Sequence, residues 1–145
     1  MSTEQAVDEV DIRERIDALV DAVRAKDLAA VRTMFAPNLV SFDIEPPLRH
    51  LGAGAKLQNW TKVFTVYAEL DYEVRDLTVL VNGDLAVAYA VNRLSGTLQS
   101  GDRTGYWVRW TACFRKLDGA WLIAHDQISV PTDFATGRSV LDLEP

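Results

Sequence analysis

The chain has 145 residues, 48% hydrophobic and 25% charged, with a net charge of −6, a profile that fits one globular domain able to bury a sizeable core. It holds no dense Lys/Arg run, so a nucleic-acid or anionic-membrane surface is excluded as an expectation. A single cysteine, Cys113, rules out a disulfide framework within the chain and favours a reducing compartment.

The first fifteen residues, MSTEQAVDEVDIRER, are charged and carry no apolar stretch of the kind a signal peptide needs. A cytoplasmic protein is the expectation. The longest apolar run, residues 85 to 91, is far too short to span a bilayer. Ile12, Ile16, Leu19 and Val23 recur at helical spacing. Asp27 is placed to cap a second short helix with the stripe Leu28, Val31, Met34 and Phe35, which Pro37 ends. An apolar strand then runs to Asp43, and EPPLRHLGAGA reads as a loop. A third helix follows, with Ala53, Leu57, Trp60, Phe64 and Tyr67 on one face.

The second half changes character. Asn82-Gly83, Ser100-Gly101 and Asp118-Gly119 are turn signals that separate strand-like runs at about 70–81, 84–99, 103–116 and 120–130. Short turns between consecutive strands give an antiparallel meander. Helices first and a meander afterwards make the fold class α+β: three helices packed on a strongly curved antiparallel sheet. The reading is one domain over 1–145, with a core of about 10–132 and a tail over 133–145.

The turn at Asp118-Gly119 sets the faces of the last hairpin. A two-residue turn mixes them, whereas a three-residue loop sets Phe114 opposite Leu122, Val108 opposite Ile128 and Trp110 opposite Asp126, on one apolar face. We favour the three-residue loop. It sends Trp107, Cys113, Trp121, Ile123 and His125 to the outer face. That much apolar area beside arginines suits a sheet-on-sheet homodimer.

Two carboxylates stand out, because each interrupts an apolar strand. Asp43 is either a strand-end cap or a proton-moving group, and Asp126 either satisfies a backbone or indole N–H or lines a pocket. A buried carboxylate far from cations has its pKa raised, and such groups concentrate where protons move. Asp43 and Asp126 are therefore the catalytic candidates. Trp60, Phe64, Tyr67, Trp110 and Ile128 are candidate walls for a small apolar or aromatic ligand. His50 lies in the loop after the first strand, within possible reach of Asp43. Arg93 pairs across to Trp110 if Gly101-Asp102 forms a two-residue turn, which would bring a cation to the pocket. Two histidines without metal-ligand spacing, no phosphate-binding glycine loop and no nucleophile motif give no metal or cofactor expectation.

The string AKDLAAVRTMFAPNLVSFD resembles the start of the nuclear-transport-factor-two-like superfamily, which includes ketosteroid isomerases and SnoaL-like polyketide cyclases. FRKLDGAWLIAHDQISVP resembles the closing hairpin of SnoaL-like proteins and of the calmodulin-dependent kinase association domain. The resemblance implies a cone-shaped α+β barrel around a pocket, and it places Asp43 where ketosteroid isomerases keep their proton-moving aspartate. It also places Leu19 and Trp110 where those isomerases keep a tyrosine and a protonated aspartate that hold the oxyanion. Leu19 cannot donate a hydrogen bond, so steroid isomerisation is not expected; one lost oxyanion donor costs about 10²–10³ in rate. The expected function is small-molecule binding in an apolar pocket, with proton-transfer chemistry of isomerase, cyclase, dehydratase or hydrolase type. The alternative is a non-catalytic ligand-binding or oligomerisation module.

Overall fold

A computed structural model describes residues 2–145. Helix α1 (Thr3–Arg24) starts at a capping box, in which Ser2 and Gln5 satisfy each other's backbone donors. Its stripe Ile12, Ile16, Leu19 and Val23 is buried against the sheet. A buried carboxylate pins it further: Asp8 accepts from Lys116 Nζ at 3.1 Å and from the Trp121 indole N–H at 3.2 Å.

Helix α2 (Leu28–Arg32) is capped by Asp27, whose side chain accepts from the Ala30 N–H. It is a single turn and a half, so Met34 and Phe35 lie beyond it, and Pro37 sits inside the next strand instead of ending the helix. That strand, β1 (Phe35–Phe42), stops one residue before Asp43. The loop after it contains a two-residue strand, β2 (His50–Leu51), and its last residues already belong to helix α3 (Ala53–Val66). Tyr67 is not on that helix. It opens β3 (Tyr67–Asn82), and extended backbone at this residue ends α3.

The meander follows with β4 (Leu85–Leu98), β5 (Arg103–Leu117) and β6 (Ala120–Ser129). The six strands form one sheet in the order β2-β1-β6-β5-β4-β3. The meander pairs antiparallel as expected, but β1 runs parallel to β6, with Ser41 beside Asp126. The sheet stays open, with β2 and β3 as its edges, so the expected barrel is a cone that does not close. Helices on one side of this mostly antiparallel, curved sheet make an α+β fold. The tail carries a small hairpin, β7 (Thr132–Asp133) and β8 (Arg138–Ser139).

The last hairpin differs from its expected register. Asp118 and Gly119 both have positive φ, 50° and 81°, as a two-residue turn of the type favoured in hairpins requires. Pairing starts as Leu117↔Ala120 and Phe114↔Ile123, then slips by one residue to Cys113↔His125 and Ala112↔Asp126. The extra residue is Ala124, a β-bulge. The bulge reconciles what a regular strand cannot: Trp121 and Ile123 before it and Asp126 after it all point inward, each at most 2% exposed. Trp121 and Ile123 are therefore core residues and not part of the outer face. Trp110 stands opposite Ile128 and Ala90, not opposite Asp126 or Arg93.

Candidate functional site

Three elements converge under α3. The end of β1 supplies Ser41 and Asp43, β6 supplies Asp126, and α3 supplies Lys56. The lysine is 3% exposed and its ammonium lies between two carboxylates, 3.0 Å from Asp43 Oδ2 and 3.2 Å from Asp126 Oδ2. A third contact goes to Ser41 Oγ at 3.2 Å. An ammonium has three N–H donors and no acceptor, so these contacts use its whole capacity. Ser41 in turn donates to Asp126 Oδ1.

The two acids differ in access. Asp126 is enclosed, at 3% side-chain exposure, whereas Asp43 keeps 18%. Asp43 Oδ2 accepts from both Lys56 and the Asn59 amide, the latter at 3.1 Å. Its Oδ1 accepts from the Ile44 backbone N–H at 2.8 Å and retains a free lone pair. Burial by itself pushes the Asp43 pKa up. The charge and hydrogen bond of Lys56, with the donors from Ile44 and Asn59, outweigh it and hold the carboxyl below its ordinary value. The expectation of acids far from any cation is thus corrected: both face the same buried cation.

Asp43, Lys56 and Asp126 line a cavity of about 530 Å³, within the range of small-molecule sites. Its remaining wall is mainly apolar and includes Leu19, Phe35, Trp60, Leu94, Trp110 and Ile128. Tyr67 reaches the cavity from β3. Phe64 does not line it and instead backs the wall, its ring 5.8 Å from that of Trp60. His50 is buried outside the cavity, with Nε2 3.4 Å from the Asn59 amide and 3.3 Å from the Glu45 carbonyl. It reaches Asp43 only through Asn59. Arg93 is exposed on the outer side, opposite Trp107 and against Gly105, and contributes nothing to the cavity. His125 is on the outer side too, with Nδ1 2.6 Å from the Val40 carbonyl.

Lys56 is the site residue that sequence reasoning misses, although a signal exists. It stands three residues after Ala53 and four before Trp60, on the apolar stripe of α3. A lysine there has to bury its charge against something. Among the described residues, no group of three or more His, Cys, Asp or Glu side chains is placed to hold a metal ion.

An open cone of helices over a curved, mostly antiparallel sheet is the fold of the nuclear-transport-factor-2-like class of α+β proteins. Within that class the chain belongs to the SnoaL-like domain family, whose model matches residues 12–133. It is similar to an NTF2-like protein of unknown function from Pseudomonas putida KT2440, at 28% identity over 97% of this chain and 98% of that one, with a TM-score of 0.88. An NTF2-like superfamily protein from Salmonella enterica serovar Typhimurium LT2 shares the fold at 18% identity, covering 96% and 100% of the two chains with a TM-score of 0.76. A hexachlorocyclohexane dehydrochlorinase (LinA, type 2) shares it at 14% identity, covering 86% of each chain with a TM-score of 0.75. No curated protein matches the sequence.

Proposed function

We propose that this protein binds a small, largely apolar molecule in the cone and moves a proton on it, with Asp43 as the base. One observation carries the reading: a carboxylate kept ionised by a buried ammonium stands at the wall of a mainly apolar cavity. The free lone pair on Asp43 Oδ1 is the proton acceptor. Oδ2 already takes two donors and cannot serve. Lys56 holds Asp43 charged and aimed, and Asp126 with Ser41 holds Lys56. The base is weak, so its partners are acidic C–H or O–H groups, such as those next to a carbonyl. Isomerisation, cyclisation and elimination all begin with this step.

Deuterium exchange into simple ketones tests the proposal, because it reads the proton transfer itself whatever the natural substrate is. The protein is incubated in D₂O with 2-tetralone, 1-indanone and 3-cyclohexenone, and label at the α-carbon is read by mass spectrometry. At least one probe should exchange faster than in buffer, and Asp43→Asn should remove about 10²–10⁴ of that acceleration under conditions where circular dichroism shows the variant folded. Equal exchange by the variant would sink the base assignment. Tight binding without any exchange would favour the rival, a non-catalytic binding module.

We further propose a homodimer through the outer face of the sheet, which keeps Cys113, His125 and Gln127 of the expected set but not Trp121 and Ile123. Leu80, Leu85, Val87 and Tyr89 are 37–58% exposed. Register brings Leu80, Val87, Cys113 and His125 into one transverse row, and Thr78, Tyr89, Thr111 and Gln127 into the next. The row of apolar side chains across three strands supports a self-complementary contact.

A further inference from the structure

One buried imidazole stands next to the proposed base without touching it. Strand β2 sets His50 beside Ser41 of β1, and the side chain is buried outside the cavity. Its Nε2 lies 3.4 Å from the Asn59 amide nitrogen and 3.3 Å from the Glu45 carbonyl oxygen. The same Asn59 nitrogen lies 3.1 Å from Asp43 Oδ2. An amide nitrogen carries two N–H donors, and a neutral imidazole has one nitrogen that donates and one that accepts. The two neighbours of Nε2 therefore make opposite demands. With a lone pair on Nε2, Asn59 gives one N–H to His50 and the other to Asp43. With a proton there, Nε2 donates to Glu45 and turns an N–H against the amide N–H.

The carboxylate decides between these states. Asp43 draws the nitrogen end of Asn59 towards itself, and that donor is one of the causes that hold the carboxyl below its ordinary value. An Asn59 turned end for end would aim its carbonyl oxygen at the carboxylate and lose this hydrogen bond. With the amide so fixed, its second N–H points to Nε2, which must then carry the lone pair. Neutral His50 keeps its proton on Nδ1. We infer that His50 is a positioning residue for Asp43: the Nε2 lone pair locks Asn59 with its nitrogen towards the carboxylate, so that Oδ2 stays engaged and Oδ1 is left to meet the ligand. The inference deepens the reading of Asp43 as the base and rests on it for its purpose. Its evidence is the hydrogen-bond chain from His50 through Asn59 to Asp43.

Magnetic resonance tests the lock without turnover. In the wild-type protein at about pH 8, above the ordinary histidine range, nitrogen-15 shifts of the His50 ring should show Nδ1 protonated and Nε2 bare. The chain has only one other histidine, His125, so the spectrum of His50→Gln assigns the signals. In carbon-13 titrations the Asp43 carboxyl should lose its proton at higher pH in His50→Leu than in wild type. His50→Gln, whose side-chain oxygen offers Asn59 an acceptor, should restore the wild-type titration. Asn59→Leu should raise the Asp43 titration by itself, and adding His50→Leu to it should move the carboxyl no further. A histidine that only packs would shift Asp43 as much without Asn59 as with it. A proton on Nε2 in the wild type overturns the inference, even where the variants fail to fold. An Asp43 titration unmoved by His50→Leu, or moved equally in the Asn59→Leu background, overturns it as well. A negative deuterium experiment would remove the base and leave these results standing. Failure here would leave Asp43 a base held by Lys56 and Ile44, still open to the deuterium test.

Discussion

A lysine with 3% exposure is expensive unless its charge is matched, and Lys56 makes the site an electrostatic unit. Removing one member of a buried ion group costs about 3–5 kcal/mol, because the remaining charges stay buried. Lys56→Met should therefore lower the urea midpoint at neutral pH by an amount equivalent to about 3–5 kcal/mol. The pH dependence follows from Asp43. Its folded pKa lies below the unfolded value, so its contribution is fully present above the ordinary carboxylate range, near about pH 4, and disappears as pH falls through the lowered folded value. Urea midpoints between about pH 6 and pH 2.5 should show a steeper acid-side loss for wild type than for Lys56→Met. Parallel curves would mean that the lysine does not hold Asp43 ionised. At this scale the sequence was partly legible. Asp43 and Asp126 stood out because an acid breaks an apolar alternation. Asn59 did not, because an asparagine between Gln58 and Trp60 reads as an ordinary helix-surface residue.

Strand irregularities shape the cone. Gly96 on β4 has φ 149°, and a Cβ there would lie 2.0 Å from the Glu69 carbonyl oxygen of β3, next to a register shift between Tyr67 and Glu69. The two backbones can approach so closely only without a side chain, and the approach sits where β3 turns in from α3. Gly96→Ala should destabilise by about 3 kcal/mol or more, through overlap as well as backbone strain. Gly101→Ala is the control, since its φ of 91° is also positive but its surroundings are open; it should cost only about 1 kcal/mol. Thermal unfolding of both variants measures the difference, and similar losses would remove the close approach as the cause. Elements were the most legible level, because helical and alternating periodicities act over many residues. The bulge at Ala124 was not, since nothing in AWLIAHDQ marks one residue as extra. Two inward faces of opposite parity, Trp121 with Ile123 and Asp126 with Ile128, are reconciled only when the strand meets its neighbours.

On the scale of the whole molecule, the outer sheet face carries the proposed homodimer contact. Val87 lies centrally in the row with Leu80 and Cys113. A charge there would be buried in the proposed interface and solvated in the monomer. Light scattering at micromolar concentration should give a dimer mass for wild type and a monomer mass for Val87→Asp. A monomer mass for wild type would remove the dimer. The expectation of a pairing face came from the sequence, but two of its four named apolar residues, Trp121 and Ile123, belong to the core. The error has a single origin in the register of one hairpin, and it shows why face assignments fail wholesale when a strand slips by one residue.

The parallel pairing of β1 with β6 also sets an order of events. Ser41 and Asp126, which touch, are 85 residues apart. Between them lie α3 and the first three strands of the meander, all joined by local turns that can form early. Until β6 is in place, β1 has only the two-residue β2 as a sheet partner, and Lys56 has only one of its two carboxylates. On a ribosome delivering the chain from its N-terminus, the helices emerge first and the meander follows strand by strand, while the charge cluster waits for β6. The closing strand completes the sheet, matches the lysine and assembles the charge cluster in one step, so the three helices are complete well before Lys56 meets its second carboxylate.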